Sequence, residues 1–300
     1  MLLEEIQSDI IEIENNASIY NESNFADRTD AIDILDFHII DRINQLLIES
    51  SPSAELLALK EQALRLKSIL EVINLTLFQN IRSDIQSGTL RGLALKSKIY
   101  EYFVDSPSTE LEYSDYEYDN LDFLINGIFH IQDIPEETIV RDPEMVYYQK
   151  TPARIIFELA DKAGFEECDV FYDIGSGLGQ PTIIVNLLTG VKSKGVEFEP
   201  TFCNYANKCA SELKTKNIEF IHSDARLLDY SDGTVFFLYT PFTGKILADV
   251  LSILHQRSKK GTIRLFTYGP CTFEVNKQNW LNPMNTKNED MYMLHEFRSC

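Results

Sequence analysis

The chain has 300 residues, of which 44% are hydrophobic, and a formal net charge of -20 at pH 7. This length and composition predict a soluble globular protein with one large or two ordinary domains. The opening residues, MLLEEIQSDI, lack a basic segment followed by a long apolar run, and no apolar stretch approaches the roughly 18 residues that cross a bilayer, so we expect neither secretion nor membrane insertion.

Five cysteines are far apart in the sequence, without a C-x-x-C pair or histidines at zinc-ligand spacing. They are Cys168, Cys203, Cys209, Cys271 and Cys300. We interpret them as reduced thiols of a cytoplasmic protein, most of them small buried residues. No metal site is expected.

The negative charge is concentrated in the first half of the chain. Residues 1–150 contain 29 acids and 11 bases, a net charge of -18, whereas residues 151–300 contain 18 acids and 16 bases, a net charge of -2. Such a field repels nucleic-acid phosphates and attracts a basic protein or peptide, and it equally serves to keep a protein in solution. A nucleic-acid partner is therefore disfavoured.

The first half also has helical periodicity. In residues 51–79, Ser51 and Pro52 suit a helix start. Apolar residues then recur every three or four positions, at Leu56, Leu59, Ala63, Leu66, Leu70, Ile73 and Leu77. We predict that this seam packs against the preceding segment, which supplies Ile32, Leu35, Ile39, Ile43 and Leu46. A short coiled coil between subunits is the alternative.

Residues 110–119, ELEYSDYEYD, interleave carboxylates with tyrosines. One interpretation is a docking surface for lysine or arginine side chains, through charge and cation–π contact. The other is a solvated connecting segment whose tyrosines lie on the domain surface, and we favour it.

After residue 165, short apolar runs alternate with helical segments. The predicted strands are residues 169–173, 194–198, 218–222, 234–239, 262–268 and a final alternating strand within 291–299. The predicted helices are about 179–189, 201–214 and 243–257. This order predicts an α/β fold with a Rossmann-like, doubly wound, mostly parallel sheet. We expect the final strand at an edge of the sheet, because it alternates instead of being wholly apolar.

We place a domain boundary between residues 144 and 145. The part before it is predicted to be an acidic all-α domain that serves as a lid or binds a substrate or partner. Residues 145–300 form the predicted α/β domain.

The stretch YDIGSGLGQ, residues 172–180, follows the first predicted strand, where ligands bind in such a sheet. Gly175, Gly177 and Gly179 form G-x-G-x-G, one residue shorter than the dinucleotide fingerprint, and the Walker pattern is absent. The turn therefore favours a ligand other than a dinucleotide or a nucleoside triphosphate.

Two acidic residues make the ligand more specific. Glu197 ends the second strand, where it can accept both hydroxyls of a ribose, and Phe198 can lie against a purine face. Asp224 follows the third strand, where it can accept from the purine amine. Together these residues indicate a nucleoside without phosphates.

In order and spacing, FYDIGSGLGQ, GVEFEP, IHSDA and FFLYTPF resemble motifs I to IV of class I S-adenosylmethionine-dependent methyltransferases, over about residues 145–270. The resemblance implies S-adenosylmethionine as cosubstrate, with its methionine end at Asp173 and the glycine turn, its ribose at Glu197, and its adenine at Asp224 and Ala225. The cofactor-binding candidates in these motifs are Asp173, Gly175, Ser176, Gly177, Gly179, Gln180, Glu197, Phe198, Asp224 and Ala225.

Upstream, YYQKTPARIIFELADKAGF is similar to the segment before motif I in histone-lysine methyltransferases of the telomeric-silencing-disruptor type and in related lysine methyltransferases. The resemblance implies that Tyr148 and Thr151 close over the methionine carboxylate. Gln149 and Lys150 stand where the histone enzymes have Gly-Glu, and the TPF at 240–242 stands where they have an asparagine-rich turn.

The end of the fourth strand supplies the candidates for the acceptor side, which are Tyr239, Thr240, Pro241 and Phe242. A strand end followed by a proline turn explains the same residues. Methyltransferases that act on the amines of adenine and glutamine carry [DNS]-P-P-[YFW] here, because a side-chain oxygen and a backbone carbonyl together hold the NH2 group. Thr240-Pro241-Phe242 keeps part of that clamp, so a nucleic-acid substrate is the weaker case.

Three functions remain open on this sequence. The first choice is N-methylation of a protein side chain, with lysine as the favoured acceptor. A small-molecule methyltransferase with the helical half as lid is the alternative, and a noncatalytic binding protein on the same scaffold is the third. The acceptor and the oligomeric state are not determined by these patterns.

Overall fold

The structure is a computed structural model that describes residues 2–49, 53–103, 119–130, 134–284 and 290–300. Ser51, Pro52 and residues 110–118 lie outside the described residues, so the predicted helix start and both interpretations of the acidic tyrosine segment stay predictions. Contacts within the chain define two compact units. One unit comprises residues 1–84 and 96–112, and the other residues 85–95 and 113–300. The predicted domain boundary at residue 144 stays a prediction.

The described residues among the first hundred are mainly helical, as their periodicity predicts. The α-helices are α1 (Leu2–Asn15), α2 (Phe25–Asp33), α3 (Asp41–Glu49), α4 (Ala54–Ser87) and α5 (Gly92–Tyr100). A π-helical turn, Ile34–Ile40, joins α2 to α3 without a break.

The apolar seam of α4 is buried within its own unit. Leu56, Leu59, Ala63, Leu66 and Leu70 pack in one cluster with residues of α1, α2, α3 and the π-helical turn. That cluster contains four of the predicted partners, with the fifth packed against it: Ile32, Leu35, Ile39, Ile43 and Leu46. The predicted packing against the preceding segment is therefore confirmed, and no second subunit is needed to cover the seam.

The second unit is built around a seven-stranded sheet. Its strands are β1 (Val170–Ile174), β2 (Lys192–Glu197), β3 (Ile218–His222), β4 (Val235–Tyr239), β5 (Arg264–Tyr268), β6 (Leu281–Pro283) and β7 (His295–Ser299). Strands β1 to β5 are parallel, and β7 runs antiparallel to both β5 and β6. The predicted α/β class and its mostly parallel sheet are confirmed.

One prediction about the sheet is wrong. The strand order is β3-β2-β1-β4-β5-β7-β6, so β7 lies inside the sheet and the short β6 forms the edge. The alternation in β7 leads to this error, because His295, Phe297 and Ser299 are buried while the residues between them are not. The three residues of β6 are too few to leave a periodic signal and they end in a proline.

Helices cover the sheet and connect its strands. They are α6 (Asn120–Phe129), α7 (Ala153–Lys162), α8 (Gln180–Thr189), α9 (Pro200–Glu212), α10 (Gly244–Ser258) and α11 (Cys271–Asn276). Since β1 lies between β2 and β4, the chain turns to opposite sides of the sheet after β1 and after β4, which opens a crevice at their carboxyl ends. Among the described residues, we find no helix with the length and apolar character of a membrane span.

Candidate active site

A pocket opens at the carboxyl ends of the parallel strands. It encloses ≈ 820 Å³ of space between its walls, including the part that is open to solvent. Its wall contains residues that follow each of four strands, namely Gly175 after β1, Glu197 to Glu199 at the end of β2, Ser223 to Ala225 after β3, and Tyr239 to Phe242 at the end of β4. Several residues between 137 and 149, with Val196, Phe202 and Ile246, complete the wall.

The predicted site residues divide into two groups. Ten line the pocket, namely Tyr148, Gly175, Glu197, Phe198, Asp224, Ala225, Tyr239, Thr240, Pro241 and Phe242. Six lie outside its wall, namely Thr151, Asp173, Ser176, Gly177, Gly179 and Gln180. The second group contains two of the three glycines of the turn and residues next to them, together with Thr151.

The glycine turn has a backbone that only glycine adopts easily. Gly175, Gly177 and Gly179 have φ angles of 81°, 52° and 83°, in the left-handed region that costs other residues about 1–2 kcal/mol. The backbone nitrogens of Gly175 and Ser176 both donate to the carbonyl oxygen of Val196, at 2.8 and 3.0 Å. These bonds fasten the turn to the end of β2.

Neighbouring side chains fill the space that a Cβ would need. A Cβ on Gly175 would overlap Pro241, and a Cβ on Gly177 would overlap the ring of Tyr148. The glycines therefore let the turn pack against two predicted site residues.

Asp173 lies in β1 just before this turn, and its side chain is buried. It is 3% exposed, and its Oδ2 accepts a hydrogen bond from Thr182 Oγ1 at 2.9 Å. Burial raises the pKa of Asp173 to about 7, although the hydrogen bond from Thr182 acts in the opposite direction. Its carboxyl group therefore lies behind the turn and outside the pocket wall.

Glu197 presents a carboxylate to the pocket. Its Oε2 accepts from the backbone nitrogen of Gly177 at 2.7 Å, and its Oε1 accepts from the backbone nitrogen of Glu199 at 2.8 Å. Burial raises the pKa of the Glu197 carboxyl group, and hydrogen bonds from the backbones of Glu199, Gly177 and Phe198 act to lower it. An ionised carboxylate has about four acceptor positions, so acceptor capacity remains for a ligand beside these backbone donors.

Asp224 has a partner that the sequence analysis did not predict. Its carboxylate accepts two side-chain hydrogen bonds from the guanidinium of Arg226, at 3.0 and 2.6 Å, and a third from the Arg226 backbone nitrogen. The hydrogen bond from Arg226 lowers the pKa of Asp224. This carboxylate is thus ionised and already paired, while Ala225 beside it is buried.

A segment without helix or strand, residues 134–152, runs along the pocket, and we call it the strap. Within it, the Tyr148 ring contacts the ring of Phe202, with 5.3 Å between centroids. Thr151 is buried at the end of the strap. Two residues later, Ala153 donates its backbone nitrogen to Asp122 of α6 at 2.8 Å.

The acceptor wall, Tyr239 to Phe242, uses its polar atoms internally. Thr240 has a φ of 36°, an unusual backbone for a β-branched residue. Its Oγ1 accepts from the backbone nitrogen of Cys271 at 3.2 Å and donates to the carbonyl oxygen of Tyr268 at 3.4 Å. The carbonyl oxygen of Pro241 accepts from the backbone nitrogen of Val146 in the strap at 3.1 Å.

Aromatic residues are part of this wall. The rings of Tyr239 and Tyr268 lie 4.9 Å apart, and the Tyr239 hydroxyl donates to Gln149 Oε1 at 3.4 Å. Phe242 is buried. A group that enters here therefore meets aromatic surface.

Several lining residues were not predicted. They are Glu137, Arg141, Met145, Val146, Tyr147, Gln149, Val196, Glu199, Phe202, Ser223 and Ile246. Most belong to the strap, which has no periodic pattern to identify it. The sequence does contain a signal for Glu199, because an acidic residue before a proline is typical of a helix N-cap.

The family comparison agrees with this architecture. Residues 143–237, about a third of the chain, match the family described as "Histone methylation protein DOT1". The matched range begins in the strap and ends in β4, so it contains the glycine turn, Glu197 and Asp224. The search of curated proteins returned no match.

Solved methyltransferase structures are similar to part of the chain. An RNA methyltransferase from Salinibacter ruber in complex with S-adenosyl-L-homocysteine is 24% identical, with a TM-score of 0.41, over 50% of this chain and 92% of that one. The precorrin-6y C5,15-methyltransferase from Geobacter metallireducens is 16% identical, with a TM-score of 0.39, over 53% and 95%. A methyltransferase from Aquifex aeolicus is 16% identical, with a TM-score of 0.39, over 50% and 93%.

The sheet, its pocket and the family match define a class I S-adenosylmethionine-dependent methyltransferase. Within that class, the chain resembles the DOT1 type over residues 143–237.

Proposed function

We propose that this protein transfers a methyl group from S-adenosylmethionine to an amine nitrogen of a protein side chain, with lysine as the first choice. The observation that carries the choice of acceptor is the internal hydrogen bonding of Thr240 and Pro241.

The clamp that holds a planar NH2 group needs two free acceptors. In this protein Thr240 Oγ1 is bonded to Cys271 and Tyr268, and the Pro241 carbonyl is bonded to Val146. Removing the hydrogen-bond partner of a buried polar group costs free energy. A nucleobase amine or a glutamine amide would compete with these bonds, whereas the aliphatic stem of lysine needs only an apolar channel.

The residues at the glycine turn fit the cosubstrate. Ser176 Oγ and Gln180 Oε1 are buried and, within the described part of the chain, have no hydrogen-bond partner. Such orphaned atoms suit the amino-acid end of S-adenosylmethionine, since buried polar atoms are normally paired. Glu197 would hold the ribose hydroxyls with its remaining acceptor capacity. Phe198, Asp224 and Ala225 would surround the adenine.

Tyr148 and Thr151 are assigned to the methionine carboxylate. Support comes from the position of the Tyr148 ring against Gly177 and from the burial of Thr151 at the start of α7. We assign Asp173, which directly precedes the glycine turn, to the methionine end of the cosubstrate.

When bound, S-adenosylmethionine supplies an electrophilic methyl group. The protein then has to position the acceptor in line, to exclude water and to favour the neutral amine. Tyr239 and Phe242 would exclude water from the lysine nitrogen, whose reference pKa is about 10.4. No covalent intermediate with the protein is required.

The choice of a protein substrate has two further supports. The matching family is described by histone methylation, and histones are proteins. In the pocket wall Asp224 is paired with Arg226, and Glu137 with Arg141, which leaves the carboxylates of Glu197 and Glu199 as the charges that favour a cation. We also propose that the acidic helical part, residues 1–144, binds a basic protein or peptide, and that the protein acts in the cytoplasm.

The acceptor can be tested with labelled cosubstrate. The purified protein is incubated with methyl-labelled S-adenosylmethionine and a lysine-rich polypeptide, its acetylated form, a glutamine-rich polypeptide or a DNA duplex. We expect label in the unmodified lysine-rich polypeptide alone. Label in DNA, in the acetylated polypeptide, or only in small metabolites of a lysate would overturn the choice of lysine.

A further inference from the structure

We propose that Glu199 is a positioning residue that holds the strap over the cosubstrate pocket, and that its bonds to the strap open whenever the cosubstrate is exchanged. The inference rests on the proposed function, because it assigns the pocket to S-adenosylmethionine. It concerns a residue outside the predicted ligand-binding set.

The Glu199 carboxylate joins the strap to the start of α9. On the strap it accepts from the Thr138 backbone nitrogen at 2.9 Å, from Thr138 Oγ1 at 2.7 Å and from the Ile139 backbone nitrogen at 3.0 Å. On α9 it accepts from the backbone nitrogen and Oγ1 of Thr201, at 3.1 and 2.9 Å. Thr201 Oγ1 also contacts the carbonyl oxygen of Glu136 at 2.9 Å.

This set of donors makes the attachment depend on charge. Burial acts to raise the pKa of Glu199, but the bonds from Thr138, Thr201 and Ile139 outweigh it and lower the pKa to about 2. The carboxylate is therefore ionised at any neutral pH. Hydrogen bonds to an ionised acceptor are about twice as strong as neutral ones.

Glu199 is also connected to the proposed ribose site. Its backbone nitrogen donates to Glu197 Oε1 at 2.8 Å, while Glu197 Oε2 holds Gly177. One continuous chain of hydrogen bonds thus runs from the glycine turn through Glu197 and Glu199 to the strap. A ligand that binds Glu197 therefore contacts a side chain that is hydrogen-bonded to Glu199, the residue that fastens the strap.

The middle of the strap, at Glu144 and Met145, is fastened differently. Met145 forms a β-bridge with the buried Phe242, and Met145 packs against the hydrophobic core. The Glu144 carbonyl accepts from the Thr243 backbone nitrogen at 2.8 Å, and Glu144 Oε2 accepts from the Ile246 backbone nitrogen at 2.8 Å. Backbone pairing and core burial together hold this middle part of the strap.

Among the described residues, the part of the strap that is bonded to Glu199 lacks comparable apolar packing. Ile134 and Val140, which flank the bonded residues, are 51% and 94% exposed. Polar bonds to one carboxylate are therefore its main attachment. Since Glu137 and Arg141 on this part of the strap line the pocket, its release would uncover the ligand.

The variant Thr138→Val tests the attachment, because it removes the hydroxyl donor and keeps the β-branched shape. Thr215→Val is the matched control, since Thr215 Oγ1 donates to the carbonyl oxygen of Ala210 at the far end of α9. Dissociation of S-adenosylhomocysteine is followed by stopped-flow fluorescence. We expect Thr138→Val to dissociate about tenfold faster and Thr215→Val to match the wild type, with similar thermal midpoints for the two variants.

Trypsin cleavage at Arg141 supplies a second readout. Thr138→Val should be cut faster than the wild type without ligand, and S-adenosylhomocysteine should slow both reactions. Glu199→Gln should show the same two effects more strongly, together with a lower thermal midpoint from the weakened α9 cap.

Failure of the two proposals gives different results. Absence of S-adenosylhomocysteine binding by the wild type would overturn the proposed function. Binding by the wild type with unchanged dissociation in both Thr138→Val and Glu199→Gln would overturn the role of Glu199 alone.

Discussion

Glu197 Oε2 and the backbone nitrogen of Gly177 are joined by a hydrogen bond of 2.7 Å that spans from the end of β2 to the glycine turn after β1. The bond joins Glu197, which we propose holds the ribose, to the glycine turn, which we propose holds the methionine end. The turn is also bonded to the carbonyl oxygen of Val196. Ligand affinity should therefore depend on the turn as well as on the carboxylate.

Gly177→Ala tests the turn. The new Cβ would overlap the Tyr148 ring, so the ring must leave its position and cosubstrate affinity should fall by at least tenfold. Gly190→Ala is the control, because Gly190 also has a positive φ, of 73°, but open space around it. Both variants should lose about 1–2 kcal/mol of stability from the backbone alone.

Calorimetric titration and thermal unfolding separate the two effects. Adding Tyr148→Ala to Gly177→Ala should recover stability, since the overlap disappears. Equal affinity of Gly177→Ala and Gly190→Ala would contradict the placement of the Tyr148 ring.

Asp173 should make stability depend on pH. Because burial raises its pKa to about 7, from an ordinary 3.8, the folded chain binds a proton in this range that the unfolded chain releases. The free energy of unfolding should therefore fall as the pH rises from about 4 to 7, by about 1.4 kcal/mol per pH unit and on the order of 4 kcal/mol in all.

Asp173→Asn should remove this contribution. Urea unfolding of the wild type and the variant at pH 5, 6, 7 and 8 measures the difference directly. The variant should gain stability relative to the wild type as the pH rises, and a constant difference across the series would show that Asp173 stays ionised when folded.

Tyr239 should affect the pH dependence of methyl transfer. Tyr239→Phe keeps the ring against Tyr268 and removes the hydroxyl that donates to Gln149, so its rate should stay within about threefold of the wild type. Tyr239→Ala admits water to the acceptor, which should move the rise in activity about one pH unit higher. Initial rates with a lysine-rich polypeptide between pH 7 and 10.5 provide the test, and superimposable profiles for all three proteins would exclude this role.

Two leucines of α4 test the packing of the helical unit. Leu70 is 0% exposed and Leu75 is 43% exposed on the same helix. Leu70→Ala should cost about 2–5 kcal/mol of stability, and Leu75→Ala about 0.5 kcal/mol or less. Urea unfolding measures both, and the reverse order would mean that the exposed face is the one that packs.

The strands of the core were predictable because each is a compact apolar run. VFYDI, VFFLY and RLFTY lie within two residues of their predicted positions, and the glycines after β1 mark the turn by their spacing. Glu197 and Asp224 were placed correctly at the ends of β2 and β3, whose predicted positions also lie within two residues of the observed strands. Local composition was sufficient for these features.

The strap and the polar pairings were not predictable in the same way. Residues 134–152 owe their path to bonds with residues that are distant in the sequence. Thr138 is bonded to Glu199, more than sixty residues away, and Glu144 to Ile246, more than a hundred residues away. Likewise, no pattern in the sequence indicates that Arg226 pairs with Asp224 or that the Thr240 hydroxyl faces inward. Such contacts depend on the assembled fold.

Titration calorimetry of the wild type and Glu197→Ala with S-adenosylhomocysteine tests the central claim most directly. The wild type should bind one ligand per chain, and Glu197→Ala should bind ten- to a hundredfold more weakly, because the loss of a charged hydrogen-bond acceptor costs about 1.5–3 kcal/mol. Glu274→Ala, which removes an exposed carboxylate paired with Lys277, should bind like the wild type. Absence of binding by the wild type, or equal binding by Glu197→Ala, would contradict the assignment of this pocket.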